Sequence, residues 1–198
     1  MTTLASQSVS PAQSVPPLAD LPWTDADQRH LEWAAWFFTG AVLIHNADHV
    51  RRNAGALSHD VFAAGTAAMV VEVAVVVAIF LRHRLAPLLA AVAGAALAAG
   101  YVMVHFTPTR GWLSDSLLSR SHLVSIGAAG LETMAAIVLG MIGADILWRT
   151  RAANASLRPK VAPPAVDLRR AVMHPAVLAM AVGNAIMLAI SLVQLAFR

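Results

Sequence analysis

From Leu31 onward the chain repeats one pattern, a long apolar run followed by a short polar interruption. The runs cover about 31–50, 61–81, 85–106, 122–148 and 171–197. A helix rises about 1.5 Å per residue, so roughly twenty residues cross about 30 Å of hydrocarbon, and each run is near that length. Lipid cannot hydrogen-bond bare backbone, so helices that satisfy their own N–H and C=O groups are the elements this pattern predicts. The first run opens on Trp33, Trp36, Phe37 and Phe38, the second holds Glu72 as its one charge, and the third stops at Thr107-Pro108, where proline ends a helix. Gly94, Gly127, Gly130, Gly140 and Gly143 leave room for close helix approach. The expected fold class is therefore an all-α integral membrane protein, five transmembrane helices in an antiparallel up-down bundle. Residues 29–198 form this domain, and 149–170 form a basic linker within it. Residues 1–28, rich in Ser, Thr, Gln and Pro, read as a disordered polar tail.

Composition supports the same class. The chain is 58% hydrophobic and 13% charged, where a soluble domain carries about 45–50% and about 25%. That excludes a water-facing globular enzyme, a disordered chain and a nucleic-acid-binding module. No cysteine is present, so disulfides, thiolate nucleophiles, iron–sulfur clusters and Cys-ligated zinc are excluded. Any metal must be held by imidazole, carboxylate, neutral oxygen or thioether groups.

Charge distribution sets an expected orientation. With the N-terminus inside, the cytoplasmic side carries Arg29, Arg82, Arg84, Arg149, Arg151, Arg158, Lys160, Arg169 and Arg170. The other side carries Arg51, Arg52, Arg110, Arg120 and Arg198. The bias favours a cytoplasmic N-terminus and an outside C-terminus in a plasma or inner membrane. The 149–170 linker suits anionic lipid headgroups, and the bundle leaves room for self-association or for a larger membrane complex.

The polar exceptions gather at one end. His45, Asp48 and His49 stand at i, i+3 and i+4 near the end of the first helix. His105 closes the third helix with Tyr101 one turn deeper, Asp115 lies in the following loop, and His122 opens the fourth helix. Antiparallel connectivity puts these groups on one side of the membrane. Below them, Ser125 and Glu132 continue a stripe from His122, with Glu132 about 15 Å deep at about 1.5 Å per residue. Glu72 reaches a similar level in the second helix. No Lys or Arg shares those depths, so the two acids must be protonated, hydrogen-bonded, hydrated or cation-bound. The segment His45-Asn46-Ala47-Asp48-His49 matches the H-x-x-E-H zinc pattern except for Asp in place of Glu.

Three functional readings follow. The first is a transition-metal site (zinc, copper or iron) held by His45, Asp48, His49, His105 and His122. Glu72, Tyr101, Asp115, Ser125 and Glu132 would then orient ligands or handle protons, as in a redox or metal-dependent membrane enzyme. The second is a b-type haem between histidines of facing helices. The third is a non-catalytic bundle in which Glu72 and Glu132 move protons or ions, or lock an accessory subunit together.

Overall fold

The computed structural model describes residues 23–52, 58–107, 117, 123–154 and 173–196. Within them the chain forms helices α1 (Asp25–Arg51), α2 (His59–Phe80), α3 (Ala86–Tyr101), α4 (Leu123–Asn154) and α5 (Pro175–Ala196). A π-helical turn, Val102–Phe106, continues α3 without a break. No strand occurs among the described residues. Helices α2, α3 with its π turn, and α4 are long and apolar enough to cross a membrane. Helix α1 falls short by composition because it buries Asp27, Gln28, Thr39, His45, Asn46 and Asp48. Those polar groups are packed against other helices, where hydrogen bonds replace water.

The start of α1 lies six residues earlier than the apolar pattern placed it. Thr24 caps the helix: its hydroxyl accepts from the Asp27 N–H at 3.2 Å, and the Asp27 carboxylate accepts from the Thr24 N–H at 3.0 Å. Trp23, Asp27 and Gln28 are buried, so the last residues of the expected polar tail belong to the helical body. Residues 1–22 of that tail lie outside the described residues.

Contacts at this end tie the helix ends together. Arg149 of α4 donates to Asp27 at 2.8 Å, Arg82 donates to Asp25 at 3.3 Å, and the Gln28 amide donates to the Ile79 carbonyl at 2.9 Å. The start of α1, the α2–α3 corner and the end of α4 are therefore neighbours, as alternating up and down helices require. The corner is a Schellman turn. Arg82 takes a left-handed φ of 50°, its N–H bonds to the Ile79 carbonyl, and the His83 N–H bonds to the Ala78 carbonyl. Helix α5 starts at the same end, where His174 stacks on Phe80 with ring centroids 3.6 Å apart.

Asp27 makes this end sensitive to acid. Burial works to raise its pKa, but the Thr24 hydrogen bonds and the Arg149 guanidinium outweigh it and hold the carboxyl below its ordinary value. A depressed folded-state pKa contributes stability above the unfolded value near 3.8, and that stability is lost as pH falls through the folded value. We expect the wild-type melting temperature in detergent to drop below about pH 4. Asp27→Asn should melt lower at neutral pH and lose part of that acid dependence, and identical profiles for the two proteins would refute the assignment.

Helices α3 and α4 approach backbone to backbone. A Cβ placed on Gly94 would sit 2.6 Å from the Ala136 carbonyl oxygen and from the Gly140 Cα. Glycine is required there because backbone faces backbone.

Candidate metal centre

At the opposite end, α1 carries His45 and His49 one turn apart, and the π turn carries His105. A π turn widens the helix locally and is frequent at functional sites. Here it leaves Val102 and Met103 outside while Tyr101 and His105 both face inward and are buried. The carbonyl freed at the end of the turn is satisfied by the loop, because the Leu117 N–H donates to the His105 carbonyl at 3.0 Å.

The three imidazoles converge. One ligand atom from each of His45, His49 and His105 lies within 4.8 Å of the others. The ring centroids are 4.5 Å apart for His45–His49, 4.8 Å for His45–His105 and 5.8 Å for His49–His105. Tetrahedral zinc–nitrogen bonds of about 2.0 Å set neighbouring donors roughly 3.3 Å apart, so rotation of the side chains is enough to close the group on an ion. His45 meets both of the other rings edge-on and is 4% exposed.

Two contacts define the nitrogen chemistry. The Nε2 of His45 faces the Glu132 carboxylate at 3.5 Å, while its Nδ1 is buried without a hydrogen-bond partner among the described residues. That is the arrangement in which a carboxylate orients an imidazole and the second nitrogen is left for a metal. On His49, Nδ1 lies 3.2 Å from a terminal nitrogen of Arg52. Arginine can only donate, so this nitrogen keeps its lone pair. A metal taking that lone pair must displace Arg52.

Deeper in, the Tyr101 hydroxyl donates to Glu72 at 2.6 Å. Glu72 and Glu132 are both buried, at 3% and 2% exposure. One cavity of about 330 Å³ is lined by all six of these groups, His45, His49, His105, Glu72, Tyr101 and Glu132.

Two expected participants stand elsewhere. Asp48 does not turn to the histidines: one oxygen accepts from Arg51 at 2.7 and 2.9 Å, and the other accepts from Arg52 at 2.9 Å. At about 100° per residue it points roughly 100° away from His49, so i, i+3, i+4 spacing did not place all three on one spot. Ser125 accepts from Arg51 at 3.0 Å and so belongs to this ion-pair group, joining α4 to α1. Asp115 and His122 lie outside the described residues.

Other features of the site had little signature in the sequence. Arg51 and Arg52 count in the sequence only as charges on the outer side, yet they neutralise a buried aspartate. Asn46 donates to Asn184 at 2.8 Å and fastens α5 beside the site. The π turn has no marker in composition at all.

The chain matches no family model, no curated protein and no solved structure.

Proposed function

We propose that this chain is a five-helix integral membrane protein that binds a single transition-metal ion through His45, His49 and His105 at one membrane face. The observation that carries this reading is the convergence of three imidazoles from two elements, with the His45 Nδ1 buried and unpartnered. In this reading α1 and α5 cross the membrane with α2, α3 and α4, shielded by them, and the N-terminus is cytoplasmic. Zinc, copper and iron all accept imidazole donors. Three protein ligands leave a coordination position for water or substrate, which is typical of a reactive rather than a structural ion. The histidines line the same cavity as Glu72, Tyr101 and Glu132, groups that could accept and donate protons beside a bound ion. The reading is thus of a redox or metal-dependent membrane enzyme.

The ring geometry favours a bare ion over haem. Two axial imidazoles of a haem face one another with the macrocycle between them. Here His45 stands beside the line joining His49 and His105, nearly equidistant from both, where a macrocycle seated between those two rings would run into it.

The test is purification in mild detergent followed by elemental analysis and a visible spectrum. We expect about one equivalent of zinc, copper or iron, and no intense haem band. An intense haem spectrum would replace the bare-ion reading. A colourless preparation that holds no metal, and takes up none on titration with each of the three ions, would overturn it.

A further inference from the structure

The cavity beside the histidines is not sealed. Its rim includes Ala64 and Gly65 of α2 and Ala96 of α3, all exposed on the outer surface of the bundle. Both helices are among those apolar enough to span a membrane, so this rim meets acyl chains rather than water. The opening follows from the connectivity. The two helices are held together by the turn over 81–85, and the cavity lies between them toward their other ends. Small residues keep it open: no atom stands within 4 Å of a Cβ placed on Gly65 or on Gly100. Its walls are apolar, with Phe62, Met69, Leu97 and Val104 among them.

The inner end has the opposite character. Glu72 Oε2 has no hydrogen-bond partner among the described residues, and Glu132 Oε2 has only the 3.5 Å contact with His45. Buried polar atoms are nearly always satisfied. Both residues line the cavity, so a donor seated there and reached by rotation of either carboxyl group can satisfy them. A tail that dissolves in lipid suits the walls, and a head bearing O–H groups suits the end. A carboxylate head would add a third acid to a space without a lysine or arginine in its lining.

We propose that this cavity is a binding site for a neutral, hydroxyl-headed lipophile that enters from the membrane between α2 and α3 and hydrogen-bonds to Glu72 and Glu132. The volume, about 330 Å³, lies at the lower end of the range for small-molecule sites, roughly 300–1,000 Å³. The proposal rests on α2 and α3 being membrane spans, and it does not require the metal.

The experiment is titration of the full chain in lipid nanodiscs with 4-decylphenol, its methyl ether 4-decylanisole, and 4-decylbenzoate, with metal content measured on each sample. The phenol is expected to bind about tenfold more tightly than the ether, the worth of one buried hydrogen bond, and more tightly than the benzoate. Gly100→Leu, whose Cβ meets no neighbour within 4 Å and whose side chain takes up cavity space, should weaken the phenol about tenfold or more while metal content stays at the wild-type level. Gly65→Leu, on the opposite wall, gives the same test if Gly100→Leu does not fold. Equal binding of phenol and ether, or undiminished binding of the phenol to a folded cavity-filled variant, would overturn the proposal. Loss of metal with phenol binding retained would strike the metal reading alone. A chain that stays in solution without detergent would remove the membrane reading beneath both.

Discussion

Replacing His105 by alanine is expected to lower metal affinity by between two and three orders of magnitude. A four-ligand structural zinc site is worth about 10–16 kcal/mol, hence roughly 2.5–4 kcal/mol for each ligand. His105 is the one donor that does not come from α1. Without it, only two imidazoles on a single helix remain, a pair too weak to exclude water and competing ions. Competition titration against a chelator measures the change. Two controls separate coordination from general damage. Glu132→Gln keeps the shape but weakens the orientation of His45, for which about 10–100-fold is expected. Asp48→Asn should leave affinity within about threefold, since its carboxylate is engaged by Arg51 and Arg52 and not by the histidines. If Asp48→Asn abolished binding while His105→Ala left it unchanged, the ligand set would be wrong.

The largest effect on stability is expected at the α3–α4 crossing. Gly94→Ala puts a methyl carbon where Ala136 O and Gly140 Cα already stand 2.6 Å away. Those are backbone atoms, so no rotamer change can relieve the overlap and the helices must separate. Overpacking costs about 1–3 kcal/mol and more where backbone must move, a large share of a total stability of about 5–15 kcal/mol. Gly94→Leu is expected to yield no folded, monodisperse protein. Gly100→Ala provides the contrast on the same helix. Its added Cβ meets no atom within 4 Å, and the gain in helix propensity of up to about 1 kcal/mol should leave the melting temperature unchanged or higher. Equal melting temperatures for Gly94→Ala and Gly100→Ala would show that the close crossing does not occur.

Much of this architecture is legible along the chain because hydropathy and helical period are local properties. The runs at 61–81 and 85–106 correspond to α2 and to α3 with its π turn within two residues at each boundary. At the start of α1, where the boundary moved by six residues, the cause was also local chemistry: Thr24 and Asp27 form a capping box with Asp in the place usually held by Glu or Gln. The same reasoning placed His45, His49 and His105 at one end, since alternate helix ends must return to the same side.

Sequence alone, then, determined the helical class, the apolar spans, and which few polar groups are out of keeping with them. The tertiary structure decided which of those groups meet. It took Asp48 away to two arginines, brought His105 against His45 and His49 through a π turn, and set the Tyr101 hydroxyl against Glu72. The reason is geometric. Residue spacing gives the depth of a side chain along its helix, but its direction toward a neighbour depends on how each helix is rotated about its own axis. That rotation is settled by contacts far apart in sequence, such as Gly94 against Gly140 and Arg51 on Ser125, which no local pattern contains.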